Sequence, residues 1–351
     1  MVKEKNLDGI QKKCRNCGAS LIYSIKKEGL YCSSCQSVYK IETTNVNVKK
    51  PVESADLEFK EDDDSKRTFN CENCGAEISL KSYEIAKKCP YCGGSKVVST
   101  SDIEGQRPDK IIRFTFEEDM IMTIFKSAIS QKFLIPSRFK KMPPKNSWEK
   151  LYFPAFSFDA ETKTRYSGVL YRNESDSRGH SYRRNFRVRG DLDLLQKNIV
   201  VESSSKLSQS VLHFVLPYDF SGAVDYNPSF ILGYTVERNN DPFKKTLKDS
   251  EQIMERRLDE AIIQTYHADG ITNLEKKTSF SNRVFEYVVL PIYILHYKYN
   301  KKDYTAYING QTGKVGGKFP ISPLKSCLVA LLIILGIAFL VFLSNLDILI
   351  D

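Results

Sequence analysis

Two groups of four cysteines are the residues of this chain whose types and spacing predict chemistry. Both groups read C-x2-C-x14-C-x2-C, and the second begins 57 residues after the first. The flanking residues repeat as well, since CRNCGAS at 14–20 aligns with CENCGAE at 71–77. The chain therefore carries a duplicated module. Its eight cysteines are Cys14, Cys17, Cys32, Cys35, Cys71, Cys74, Cys89 and Cys92.

This spacing resembles that of zinc ribbons, with a 14-residue loop slightly shorter than the usual range. Each C-x2-C turn directs two thiolates at one ion, and two turns joined by a hairpin complete a tetrahedral site with no open coordination position. A module of about 25–30 residues is too short to fold on its own core, and a structural zinc supplies about 10–16 kcal/mol of apparent binding free energy. The sequence thus predicts two structural Zn²⁺ ions, each held by four cysteines.

Disulfides are the alternative for these cysteines. They persist in oxidising compartments, whereas the N-terminal MVKEKNLDGI has no apolar run and predicts no secretory signal peptide. Reduced, metal-bound thiols are therefore the favoured prediction.

Composition divides the chain into seven segments. The linker is polar and acidic, and its run Glu61–Asp64 is predicted to be a solvated spacer rather than a metal site. The predicted segments are a lead-in at 1–13, a first ribbon at 14–42, the linker at 43–68, a second ribbon at 69–100, an α+β domain at 101–325, a transmembrane helix at 326–346 and a tail at 347–351.

The α+β domain is predicted from its hydrophobic periodicity. Apolar residues recur at helical spacing over 117–134 and 243–268, and Pro136 ends the first helix. Residues 284–300 form an apolar, β-branched and aromatic run that predicts a buried strand, followed by turns at 300–303 and at Asn309-Gly310. Further strands are predicted at 151–160, 166–171 and 181–195. The predicted fold class is small β zinc ribbons, an α+β domain with an antiparallel meander, and one C-terminal transmembrane helix.

The transmembrane helix is predicted from CLVALLIILGIAFLVFLSNL at 327–346, which begins with 17 residues lacking a charged side chain. A bilayer core requires about 17–25 helical residues; a buried core helix is the alternative, although it would show a polar stripe. Lys314, Lys318 and Lys325 precede the run, whereas Asp347 and Asp351 follow it. The positive-inside rule then predicts a single-pass protein of the cell membrane with its N-terminal body in the cytoplasm and the lipid bilayer as a partner.

No catalytic constellation is visible. The sequence has no G-x-S-x-G elbow and no GxxxxGK[ST] loop, and the glycines of NGQTGKVGGKF have hairpin rather than phosphate-loop spacing. The histidines lie far apart and are predicted to be structural: His180, His213, His267 and His296. The protein is therefore predicted not to be an enzyme, with a hydrolase in the α+β domain as a third hypothesis.

The chain has a formal net charge of +9, but the ribbons contribute little of it. Residues 1–100 hold 17 Lys and Arg against 14 Asp and Glu, and each four-thiolate zinc centre adds two negative charges. An arginine patch lies farther along the chain, at Arg178, Arg183, Arg184, Arg187 and Arg189. It is a solvated strand face, or else a site for anionic headgroups, an acidic protein or nucleic acid.

Taken together, the ribbons CENCGAEI and CPYCGG, the segment LYFPAFSFDA, the segment VLPIYILHYKYNKKDYTAYINGQTGKVGGKFP and the terminal apolar run resemble a bacterial family of membrane-anchored tandem zinc-ribbon proteins. Its members are often labelled TFIIB-type zinc ribbon or primosomal-helicase-like. The resemblance implies a non-enzymatic membrane component found beside flotillin-like (SPFH) and phage-shock envelope-stress proteins. The helicase label does not transfer, because the Walker-type motifs are missing.

Two functions follow as hypotheses. The first is a zinc-binding, single-span adaptor that recruits protein partners to the cytoplasmic face of the membrane, as in an envelope-stress response. The alternative is a membrane-tethered nucleic-acid-binding protein that uses the ribbons and the arginine patch, and it predicts steeply salt-dependent binding.

Overall fold

The structure is a computed structural model. It describes residues 13–46, 49–57, 67–70, 77–80, 84–88, 95–97, 107–141, 148–204, 207, 209–237, 239 and 241–350, with backbone alone at 56–57, within 67–97, at 340 and at 342–350.

Strands dominate the described chain. In chain order they are β1 (Leu21–Ser24), β2 (Gly29–Cys32), β3 (Val38–Lys40), β4 (Lys50–Pro51), β5 (Arg67–Asn70), β6 (Glu77–Leu80), β7 (Glu84–Lys88), β8 (Ser95–Val97), β9 (Lys110–Ile112), β10 (Glu149–Ser175), β11 (Ser181–Glu202), β12 (Ala223–Asp225), β13 (Thr235–Glu237), β14 (Gly270–Tyr299), β15 (Lys302–Asn309) and β16 (Val315–Gly317). The helices are α1 (Glu118–Ser130), α2 (Ser137–Lys141), α3 (Gln209–Val215), α4 (Phe243–Thr265) and α5 (Pro323–Ile350), and 3-10 turns cover Val52–Leu57, Phe220–Gly222 and Pro228–Ile231.

Three long strands form the centre of one 11-stranded sheet. Among the described residues β10 lies between β11 and β14 and pairs antiparallel with both. The predicted meander is present, because β14 pairs with β15 and β15 with β16. Two short strands pair in parallel with the long ones: β13 with β10, and β9 with β14.

Strands β10 and β14 each have a buried half and a half in which burial alternates. Side chains from Leu151 to Phe158 and from Phe285 to Leu295 are buried almost without interruption, as expected where both sheet faces are covered. Beyond Glu161 on β10, and before Phe280 on β14, exposed and less exposed side chains alternate. These outer halves are polar on one face and covered by α4 on the other.

Helix α4 packs on the outer halves through an apolar stripe. Met254, Leu258 and Ile262 are buried at helical spacing, and Ile262 packs with Leu170 and Val188 of the sheet. Arg172 holds the end of this helix, since its Nε donates to the His267 carbonyl at 3.0 Å. The helix predicted at 243–268 is α4, and the helix predicted at 117–134 is α1.

The first ribbon packs directly against the large sheet. Its Tyr23 ring contacts the Phe230 ring edge-on at 5.3 Å, and the Tyr23 backbone N–H donates to the Leu232 carbonyl at 2.9 Å. Leu21, Tyr23 and Leu30 share one buried cluster with Ile111 of the sheet.

Part of the predicted linker is also attached to the sheet. Strand β4 pairs with β14, and the Lys49 ammonium donates to Asp159 at 2.7 Å and to Asn198 at 3.0 Å. This ion pair and hydrogen bond, together with the backbone pairing of β4, hold the polar segment against the sheet.

The predicted fold class is wrong. The chain is mostly β, and the predicted α+β domain is a large sheet whose strands extend far beyond the predicted apolar runs. Strand β7 of the second ribbon joins this sheet by pairing with β13, and β4 joins it from the linker. Sheet pairing satisfied the backbone of polar segments that lack a hydrophobic run of their own, so the sequence pattern underestimated the strand content.

The transmembrane helix predicted at 326–346 and the single-pass membrane localisation derived from it are also corrected. Across the part of the chain whose side chains are described, no helix combines the length and apolar character needed to cross a bilayer.

Candidate metal centre

Two backbone turns bring the first cysteine group together. The Gly18 N–H donates to the Cys14 carbonyl at 2.9 Å, and the Gln36 N–H donates to the Cys32 carbonyl at 2.9 Å. Gly18 has φ +73°, which a residue without a Cβ adopts readily. Gln36 has φ +62° with a full side chain, so the second turn is formed at some conformational cost.

All four sulfur atoms converge on one point. The Sγ atoms of Cys14, Cys17, Cys32 and Cys35 lie within 4.8 Å of one another, and the closest pairs are 3.4 Å and 3.5 Å apart. Zn–S bonds of about 2.3 Å in a tetrahedron separate the sulfurs by about 3.8 Å, whereas a disulfide requires about 2.05 Å. The described cysteines are free, so this group has the dimensions of a metal site and not of two disulfides.

The first cysteine of each C-x2-C turn is buried, and the second is exposed. Cys14 and Cys32 are buried, and Cys17 and Cys35 face solvent. The buried pair packs with Leu21 and Tyr23 of the ribbon core, which makes the site part of the cluster that joins the ribbon to the sheet.

Polar groups outside the sulfurs orient them. The Tyr39 hydroxyl lies 3.3 Å from Cys14 Sγ and accepts the Arg15 N–H at 3.1 Å. The Ser37 hydroxyl lies 3.1 Å from Cys35 Sγ and accepts from Asn16 Nδ2 at 2.7 Å. Outer partners of this kind fix ligand orientation and tune metal affinity.

These contacts give the cysteine thiols different pKa values. The hydrogen bond from Tyr39 lowers the pKa of Cys14 to about 5, and the Ser37 hydroxyl and amide lower the pKa of Cys35. The Ala19 amide lowers the pKa of Cys17, but the Cys32 and Cys35 sulfurs outweigh it and raise that pKa to about 12. Four thiolates at this distance repel one another, so full ionisation requires a bound cation.

The first predicted site is therefore present as one four-cysteine group able to hold a metal ion. Cys71, Cys74, Cys89 and Cys92 of the second predicted site lie outside the described residues. The strands that flank them are described, since β5 pairs with β6 and β7 pairs with β8.

The other residues singled out from the sequence do not form a second cluster in the described chain. His180 contacts Asp176 at 3.1 Å, and His296 contacts Thr305 at 3.1 Å. The NGQTGK segment is a hairpin whose Asn309 Nδ2 donates to the Val215 carbonyl at 2.8 Å.

The arginine patch is divided between the two faces of β11. Arg184 pairs with Glu174 at 3.2 Å on the face that carries Phe186 and Val188. Arg183 stacks over the Tyr171 ring at 3.9 Å on the opposite face. What this patch binds stays a prediction.

Tyr39 and Ser37 were not identified from the sequence. Ser37 follows Cys35 by two residues, and a hydroxyl at that position can hydrogen-bond the cysteine sulfur. The sequence therefore contained a signal for Ser37. Tyr39 reaches Cys14 only through the β2–β3 pairing.

Comparison with known proteins gives one informative relative. The chain is 26% identical to "Uncharacterized protein YdjG" of Bacillus subtilis (strain 168) over 318 residues, which cover 89% of this chain and 91% of that protein. No family model and no solved structure matches.

Proposed function

We propose that this protein is a non-enzymatic adaptor whose zinc-loaded ribbon presents a protein-docking surface. The observation that carries the proposal is the convergence of four cysteine sulfurs, a group that includes no His, Asp or Glu of the described residues. With all four tetrahedral positions filled by protein sulfur, a bound zinc has no open position for substrate. The metal then has a structural role.

Zinc is the metal that this donor set favours. Four thiolates in a tetrahedron suit Zn²⁺ or iron, and mass spectrometry of the purified full-length protein distinguishes the two. We expect two zinc ions per chain, and the loss of one ion in each of Cys14→Ser and Cys71→Ser. Iron in place of zinc would contradict the identity of the metal, and one ion in the unsubstituted chain would contradict the second site.

The docking surface is assigned to the exposed turns around the metal. Arg15, Ser33 and Ser34 are exposed there, whereas the strands behind them pack on the body of the protein. A rigid, metal-fixed turn presents side chains at little entropic cost, which favours recognition. The resemblance to the tandem zinc-ribbon family makes flotillin-like and phage-shock proteins the first candidate partners.

Crosslinking in cells tests this surface. The measured quantity is the amount of candidate partner recovered in the crosslinked complex. Arg15→Glu should reduce the crosslinked complex severalfold, because it reverses a charge at the centre of the exposed turns. Lys27→Glu is the matched control, since it makes the same charge change at the far end of the same ribbon. Equal complex formation by the two variants, both with zinc bound, would count against docking at the metal-site turns.

A further inference from the structure

The outer edge of β11 is open. Within the described chain β11 pairs with β10 alone, although it is 22 residues long. Alternate residues of an edge strand direct their backbone N–H and C=O groups away from the sheet. A long unpaired edge is a template for another strand.

The sequence along this edge is complementary to itself. Residues 186–194 read FRVRGDLDL. If two copies pair antiparallel about Gly190, then Arg187 lies opposite Asp193 of the other copy and Arg189 lies opposite its Asp191. The residues between them match as well, because Phe186 then lies opposite Leu194 and Val188 opposite Leu192.

The Arg–Asp pairs and the apolar pairs lie on different faces of the sheet. Phe186, Val188 and Leu192 pack in the cluster beneath α4, so alternation places Arg187, Arg189, Asp191 and Asp193 on the open face. Phe186, Leu192 and Leu194 are half-buried in a single copy. Pairing would extend their apolar contacts across the edge.

Existing contacts leave this edge available. Asp191 pairs with Arg165 at 3.0 Å, but that side-chain pair is exposed, at 70% and 77%. The Tyr266 hydroxyl donates to the Arg189 carbonyl at 3.4 Å, a long contact from the α4 side. The described residues give Arg187 and Asp193 no ion pair of their own.

We propose that two copies of this chain associate through β11, forming a continuous sheet across a two-fold axis at Gly190. The interface is isologous, so each copy contributes both the arginine and the aspartate half. Four Arg–Asp pairs result, and opposite charges directly across a strand pair are stabilising, whereas like charges are destabilising.

Charge complementarity favours a second copy over a different occupant. An acidic peptide would match Arg187 and Arg189 but would meet Asp191 and Asp193 with like charge. Nucleic acid would meet the same two carboxylates. The inverted order of charges about Gly190 suits a strand that carries that order in reverse.

Co-purification of two differently tagged full-length chains tests the proposal. The first variant is Arg187→Asp with Arg189→Asp, and the second is Asp191→Arg with Asp193→Arg. Each variant should capture its own kind about tenfold less than the unsubstituted chain does, because four attractive pairs become repulsive. Together they should capture each other at the unsubstituted level, since all four pairs are again oppositely charged, two of them with arginine and aspartate exchanged.

The matched control is Lys277→Asp with Lys302→Asp, which changes the net charge as much as the first variant does, at exposed positions outside β10 and β11. It should capture its own kind normally. Circular dichroism and thermal unfolding establish that each variant is folded. Failure of the two complementary variants to capture each other would overturn the proposal. Undiminished self-capture by either variant would also overturn it, and would assign association to another surface such as α5.

Discussion

At the scale of single residues, the metal site depends on side chains that are not ligands. Tyr39 contacts the buried Cys14 sulfur, and Ser37 contacts the exposed Cys35 sulfur. Each hydroxyl supports one sulfur of a different C-x2-C turn. The site is thus held by two independent outer contacts, and their removal should weaken metal retention without removing a ligand.

Replacement of Tyr39 by phenylalanine should weaken zinc affinity about 10- to 100-fold, the range expected for loss of an outer-shell partner. The hydroxyl stabilises the Cys14 thiolate, and its loss raises the pKa of that thiol, so protons compete with the metal at higher pH. Competition with a chromophoric chelator measures the affinity. Tyr31→Phe, on the neighbouring strand β2, should leave it unchanged; an equal loss in both variants would exclude the specific role of Tyr39.

Glu202 provides a pH-dependent prediction away from the metal. Burial raises its pKa to about 7, although the Ser204 N–H donates to it at 3.0 Å. The pKa of Glu202 is lower in the unfolded chain than in the folded one, so the unfolded carboxyl releases its proton first. The folded state therefore loses stability as the pH rises from the unfolded pKa towards the folded pKa. Glu202→Gln should therefore raise the melting temperature at about pH 8 more than at about pH 5. Glu260→Gln, at an exposed position of α4, should show no such difference; a pH-independent gain in Glu202→Gln would contradict the explanation.

At the scale of elements, the sheet depends on close approach between β10 and β14. The register between these strands shifts twice, between Asp159 and Glu161 and between Val169 and Leu170. Gly168 lies next to the second shift. A Cβ placed there would be 2.2 Å from the Asn273 carbonyl oxygen and 2.8 Å from Leu274 Cα, so only glycine allows the two backbones to pair here.

Gly168→Ala should lower the free energy of unfolding by about 2 kcal/mol or more, because the clash is with backbone and the strands must separate to relieve it. Urea denaturation measures this change. The neighbouring exposed substitution Ser167→Ala should remain within about 0.5 kcal/mol of the unsubstituted protein. A Gly168→Ala change as small as that would show that the outer sheet is flexible enough to absorb the methyl group.

At the scale of the whole molecule, the first ribbon and the sheet share one hydrophobic cluster. Cys14 and Cys32 belong to it, together with Tyr23, Phe230 and Leu232. The ribbon strands are only 3 and 4 residues long, so the metal is expected to supply much of the ribbon's stability. Loss of the metal should therefore lower the stability of the sheet as well as that of the ribbon.

Cys32→Ser should release the first zinc and lower the melting temperature of the entire sheet by several degrees, since about 1 kcal/mol shifts the midpoint by a few degrees in a chain of this size. Hydrogen exchange should quicken at 228–236, where the ribbon packs. Cys327→Ser, at an exposed cysteine outside the metal group, is the control. An unchanged sheet transition in Cys32→Ser would mean that the ribbon folds independently of the sheet.

The sequence by itself determined the local features of this protein. C-x2-C spacing predicted the group Cys14, Cys17, Cys32 and Cys35 that could hold a metal ion, because a turn of four residues determines where both sulfurs point. Helical periodicity located α1 and α4 within a few residues, and Asn309-Gly310 marked the turn between β15 and β16. Each of these signals arises from neighbours in the chain.

Tertiary structure decided what depends on distant partners. The outer halves of β10, β11 and β14 are strands because they pair with one another and receive α4, although their own residues are polar. Tyr39 joins the metal site, and β4 and β7 join the sheet, only through pairing across the chain. Backbone hydrogen bonds between strands carry no side-chain pattern, so a sequence read from neighbour to neighbour underestimates a sheet built from long-range contacts.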